Sequence, residues 1–121
     1  MVAVRGAEHF TSGRPTNPVT RAAEEFDLPT IYLYDLDSTE SIERLRALNA
    51  HLGIVVNFGM HLPVRLRKAF TLGCIEVHAS FPPKHHGLKP ITSALLKEDK
   101  KAEISILTLT EPLNPGPILV Q

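Results

Sequence analysis

The feature that most constrains this chain is an alternation of short, uninterrupted apolar runs with helical segments opened by proline or a capping residue. Residues 54–58 (Ile-Val-Val-Asn-Phe) and 74–77 (Cys-Ile-Glu-Val) are largely apolar and lack the strict every-second-residue alternation of a half-exposed strand. Runs of this kind fit strands covered on both faces, as in a parallel sheet. Between them Pro63 opens a short helix running through Phe70. Upstream, Asn17-Pro18 reads as an N-cap followed by a proline at the first helical position. Val19, Ala22, Ala23 and Phe26 then recur at helical spacing until Leu28-Pro29 stops the helix. Asp37 and Glu40 form a capping pair ahead of a helix whose apolar stripe is Ile42, Leu45 and Leu48, with Glu43, Arg44 and Arg46 facing water. Pro90 opens a further helix to about Lys97, and strands are expected at 2–4, 31–34, 104–110 and 118–120. Strands alternating with helices in this way predict an open, mostly parallel α/β sheet. Ligands of such sheets bind beyond the carboxyl ends of the strands. The loops after Val56, Val77 and Thr110 are therefore expected on one functional edge.

The chain has 121 residues, enough for one domain, and its 43% apolar content can supply a packed core. Its 13 basic and 13 acidic residues cancel, which gives no support to a broad attraction for nucleic acid or membrane. A single cysteine, Cys74, rules out an internal disulfide and fits a reducing compartment. No apolar run approaches the ~20 residues that span a bilayer. No signal peptide or transit peptide is readable at the N-terminus.

The densest polar cluster is His78, Ser80, Lys84, His85 and His86, just past the strand at 74–77. Asn114 lies in a second loop, 111–117. A histidine at a strand end is placed to handle protons near neutrality; equally, it can serve only to bind loop backbone. Zinc held by His78, His85 and His86 is disfavoured, because Cys74 lies inside the strand and no H-x-x-x-H pair supports it. No metal is expected. Cys74 reads as a small core residue. Arg65, Arg67 and Lys68 read as a solvated helix face, or alternatively as contacts to an RNA phosphate.

The wording of the sequence says more than its spacing. His78-Ala79-Ser80-Phe81-Pro82-Pro83 is similar to the H-x-S-L-L-P motif of folate-dependent formyltransferases. Gly87-Leu88-Lys89-Pro90-Ile91 resembles the R-G-A-A-P-I motif of the methionyl-tRNA formyltransferase family, with His86 in the arginine position. Leu113-Asn114-Pro115-Gly116-Pro117-Ile118-Leu119 resembles its L-D-T-G-P-I-L motif. Upstream, residues 55–59 with Pro63 resemble its V-V-x-Y-G-x-x-x-P segment, and Ser12-Gly13-Arg14 with Pro18-Val19 its glycine-arginine loop and following helix.

The resemblance implies a Rossmann-like, formyltransferase-type sheet, truncated at both ends. Residues 1–121 would be a partial catalytic domain that begins at the family's second strand, without the C-terminal β-barrel that helps hold tRNA. It implies 10-formyltetrahydrofolate as formyl donor and the amine of initiator methionyl-tRNA as acceptor. A monomer is expected, located in the mitochondrion if the source is eukaryotic and in the cytoplasm otherwise. By the same resemblance the catalytic positions are Glu76, His78 and Asn114. The cofactor contacts are Ser80, Pro83 and Gly116, and the substrate contacts Gly13, Arg14, His86 and Gly87. In the family an asparagine and a histidine steady the oxyanion while an aspartate orients the histidine. Here Glu76 stands in the asparagine position and Asn114 in the aspartate position. An ionised Glu76 repels an oxyanion, and an amide at 114 cannot act as a base; in the serine-protease histidine–carboxylate pair the Asp→Asn change costs about 10⁴ in rate. If the strand at 74–77 continues to His78, Glu76 shares a face with it and can supply the missing carboxylate. The alternatives are a catalytically dead or truncated folate- or partner-binding relative, and another folate-dependent formyltransferase or hydrolase.

Overall fold

The computed structural model describes residues 1–5, 18–56, 58, 60–80, 89–101, 103–110 and 116–121. In chain order the elements are β1 (Val2–Arg5), α1 (Pro18–Glu25), β2 (Thr30–Leu33), α2 (Thr39–Arg46), β3 (Gly53–Val56), α3 (Val64–Arg67), β4 (Cys74–His78), α4 (Pro90–Leu96), β5 (Ser105–Thr108) and β6 (Ile118–Val120). β1 pairs with β2, and β3-β4-β5-β6 form a second, four-stranded sheet. The β1–β2 and β3–β4 pairs are parallel, as expected, with the connecting segments crossing over between them. β5 and β6 are antiparallel to their neighbours, so the sheet is mixed.

Local chemistry explains the element ends. α1 stops at Asp27, which takes a left-handed φ of 51°. Leu28 N donates to Ala23 O and Asp27 N to Glu24 O, the paired closing bonds of a Schellman end. α2 is capped by Ser38, whose hydroxyl accepts from Ser41 N at 3.2 Å. The cap is therefore Ser38 and not the expected Asp37, whose backbone N–H donates to the Asp35 carboxylate at 3.0 Å. Arg65 of α3 reaches back to this cap, donating to Asp37 O at 2.9 Å.

The core lies between the strands and α2–α3. Leu33, Leu45 and Leu66 are buried together, with Ile31, Leu48, Leu62 and Phe70 packed around them. The stripe of Ile42, Leu45 and Leu48 turns inward as its spacing predicts, each fully buried leucine stabilising by roughly 1.5–3 kcal/mol. Gly53 sits against the core because a β-carbon there would meet Cys74 Sγ at 2.6 Å and the Phe70 ring at 3.0 Å.

Two expectations fail here. Ile54 and Val56 are each 63% exposed, so β3 is covered on one face only. In the α1 stripe Ala23 is buried, but Val19 and Phe26 face solvent and Thr20 packs inward in their place. In both cases the sequence supplies an apolar side chain, and burial depends on whether another element covers it.

Candidate active site

β4 carries the site. It runs to His78, one residue beyond the expected end, and that extension matters. Side chains two residues apart on a strand share a face, so Glu76 and His78 project together. His78 Nδ1 lies 3.3 Å from Glu76 Oε1. The histidine side chain is 10% exposed and the carboxylate 23%. In a neutral imidazole, a proton donated from Nδ1 to this carboxylate leaves the lone pair on Nε2, the form that takes a proton. The pair is thus a histidine backed by a carboxylate.

The turn after β4 is pinned from the neighbouring strand. His78 stands in register with Ser105, the first residue of β5. Ser105 is wholly buried, and its hydroxyl donates to Ser80 O at 2.8 Å. Ser80 N donates to His78 O at 2.9 Å, closing the turn. Ser80 is itself buried, and its hydroxyl has no hydrogen-bond partner among the described residues. Sequence reasoning missed Ser105. Its only signal was a lone hydroxyl at the mouth of an apolar strand.

Gly116 lies elsewhere. Its N–H donates to Thr108 O at 2.9 Å, and a β-carbon at Gly116 would collide with the Thr108 side chain. Close backbone approach is therefore a sufficient reason for glycine there. Thr108 pairs with Ile75, three residues back along β4 from His78, which is about 10 Å along the strand. The expectation of one functional edge needs correction on this point. Because β5 runs antiparallel to β4, the loop after Thr110 leaves from the rim opposite His78. The Asn114 position itself lies outside the described residues, as do Gly13, Arg14, Pro83, His86 and Gly87.

The zinc alternative involved His85 and His86, which also lie outside the described residues. Among the described residues no group of three or more His, Cys, Asp or Glu is placed to hold a metal ion. No described helix is long and apolar enough to cross a membrane. Cys74 is buried, and burial pushes its thiol pKa up, partly offset by the Arg67 charge and the Gly53 backbone hydrogen bond. A thiol kept protonated in this way fits the core role expected of it. The basic trio of α3 divides. Arg65 and Lys68 are exposed, but Arg67 is 6% exposed, so the expected solvated face is only partly solvated.

Comparison with known proteins places this geometry in context. A methionyl-tRNA formyltransferase of Coxiella burnetii is 37% identical over 105 residues, covering 87% of this chain and 33% of the relative. One of Cereibacter sphaeroides is 37% identical over 116 residues, covering 96% of this chain and 38% of the relative. The chain thus spans about a third of the length of the curated relatives it matches. Among solved structures, glycinamide ribonucleotide transformylase 1 from Symbiobacterium toebii superposes with a TM-score of 0.71 at 20% identity, covering 98% of this chain and 57% of that one. Phosphoribosylglycinamide formyltransferase from Bacillus halodurans gives the same TM-score at 17% identity. At those identities the likeness establishes the fold alone. The sequence profile described as formyl transferase matches residues 7–121, and on that match the chain belongs to the formyl transferase family.

Proposed function

We propose that this chain carries a formyl-transfer site. It takes 10-formyltetrahydrofolate as donor and the amine of initiator methionyl-tRNA as acceptor, with His78 handling the proton and Glu76 as the carboxylate behind it. The observation that carries the reading is the 3.3 Å contact between His78 Nδ1 and Glu76 Oε1. The described residues fit such a donor in part. They offer an imidazole at a strand end, a carboxylate that orients it, and the buried Ser80 hydroxyl with hydrogen-bonding capacity to spare. When bound, the donor supplies a formyl carbon open to attack by an amine. As the new carbon–nitrogen bond forms, His78 would take the proton released by the attacking nitrogen and Glu76 would stabilise the resulting imidazolium, which would return that proton to the donor nitrogen whose bond to the formyl carbon breaks. A positioned base of this kind contributes about 10²–10⁴ in rate.

Methionyl-tRNA as acceptor is supported by the names of the similar relatives and by the motif at Gly87–Ile91. The same reading carries a mitochondrial location for a eukaryotic source and a cytoplasmic one otherwise. A second reading, a folate-binding relative without catalysis, is favoured by one specific feature. Glu76 occupies the position implied for a neutral amide donor, and its negative charge opposes an oxyanion forming beside His78.

The test is a formyl-transfer assay on the purified chain with methionyl-tRNA, run beside a binding titration with a non-transferable folate analogue. Slow transfer in wild type, lost by at least about 10²-fold in H78A and E76Q, supports the first reading. Analogue binding without transfer, together with transfer gained in E76N, establishes the second. Transfer to glycinamide ribonucleotide or to water instead of methionyl-tRNA reassigns the acceptor. Absence of both transfer and analogue binding in a folded protein overturns both readings.

A further inference from the structure

α1 turns apolar side chains away from the body of the protein. Its buried residues are Thr20 and Ala23, whereas Phe26, just past its end, is 72% exposed and Leu28 beyond it is exposed as well. Ala22, one helical turn before Phe26, is also exposed, so the two share an outward face. α4 behaves in the same way. Only Pro90 is buried there, while Ile91, Leu95 and Leu96 are open to solvent, the last at 81%. Groups of large exposed apolar side chains mark interaction surfaces. The two faces carry rims of opposite charge. Around Phe26 the exposed Glu24, Glu25 and Asp27 outnumber Arg21. Around Leu95 and Leu96 the exposed Lys89, Lys97, Lys100 and Lys101 outnumber Glu98 and Asp99. The acids of α1 stand at its C-terminal end, and no basic residue lies in its last turn. The helix dipole disfavours that arrangement, and a cation from outside relieves it.

We propose that the partner of these faces is a second copy of this chain. α1 of one copy lies on α4 of the other, with Phe26 against Leu95 and Leu96, and with Glu25 and Asp27 facing Lys97, Lys100 and Lys101. Made twice about a two-fold axis, the contact closes a dimer in place of the monomer expected from the resemblance. A basic foreign partner satisfies α1 alone and an acidic one α4 alone; a second copy satisfies both. The 13 basic and 13 acidic residues balance, so two copies carry no net repulsion. Phe26, Leu28, Ile91, Leu95 and Leu96 expose on the order of 600 Å² of apolar surface per copy. Two copies together then cover about 1,200 Å², the low end for a specific interface, which fits a dissociation constant on the order of 10–100 μM. The contact uses neither His78 nor Glu76, so it stands or falls without reference to formyl transfer.

The test is sedimentation equilibrium on the full 121-residue chain, from about 5 μM to about 1 mM, where a monomer–dimer equilibrium is expected. Raising sodium chloride from about 0.05 M to about 0.5 M weakens it several-fold by screening the rims. F26S and L96S, both at exposed positions, each weaken association by at least about tenfold. E25K and K97E each weaken it by about fivefold, because like charges then meet across the contact. In E25K/K97E the signs are exchanged, and association returns to within about twofold of wild type. A chain that stays monomeric at about 1 mM overturns the proposal. So does association that F26S and L96S leave unchanged, or a double variant that associates no better than either single one. Circular dichroism checks the fold of each variant. Should L96S fail to fold, F26S and the charge exchange decide.

Discussion

Replacing Ser105 with alanine removes a buried side-chain bond that holds the His78 turn. Ser105 has no exposed surface, and its 2.8 Å bond ends on the carbonyl of Ser80, which is itself buried. Deleting the hydroxyl leaves that carbonyl without its donor, at a cost of about 1–3 kcal/mol. The void left by one oxygen, roughly 10 Å³, adds only about 0.2 kcal/mol. A loss of about 2 kcal/mol is therefore expected. For 121 residues an unfolding entropy near 2.1 cal/mol/K per residue makes each kcal/mol worth about 4 °C, so the midpoint should fall by about 8 °C. Calorimetry measures that fall. Hydrogen exchange at the Ser80 amide, bonded to His78 O at 2.9 Å, reports whether the turn itself loosens. Any formyl transfer should weaken in parallel. A midpoint shift under about 2 °C with unchanged exchange at Ser80 would refute the idea that β5 pins the turn.

Three further outcomes follow from the packing and the backbone. G53A places a β-carbon 2.6 Å from Cys74 Sγ and should destabilise by about 1–3 kcal/mol in urea unfolding. In G53A/C74A the Sγ collision is gone, so the double-mutant cycle should show a favourable coupling of at least about 0.5 kcal/mol. Burial raises the Cys74 thiol pKa above 9.0. The unfolded thiol therefore ionises first, and the stability tied to this group is complete below that pH and declines as pH rises through the folded value. Urea midpoints measured from pH 8 upward should show that decline in wild type and a shallower one in C74A. D27G replaces a residue held at φ 51° and should stabilise by about 0.5–1 kcal/mol, read as a higher thermal midpoint.

The elements were legible because their signals are local. Pro18, Pro63 and Pro90 mark helix starts, and Ile42, Leu45 and Leu48 show the period of a helix laid on a core. The pairing of Glu76 with His78 was legible for the same reason, since residues two apart on a strand must share a face. The site's supports were less legible. Ser105 matters only because the register of β4 and β5 sets it beside the turn at Ser80. Arg67, read in sequence as one of three surface cations, has its role from Leu109, a residue 42 positions away.

By itself, then, the sequence determined the order of strands and helices, the membership in a formyl transferase family through its motifs, and the shared face of residues 76 and 78. These rest on covalent geometry and short-range periodicity, which act within a few residues. Only the tertiary structure decided that β5 runs against β4, that Ile54 and Val56 stay exposed, and that Arg67 is buried. Strand direction and burial follow from pairing and packing between segments far apart in the chain. A side chain's own chemistry does not specify which neighbour will cover it.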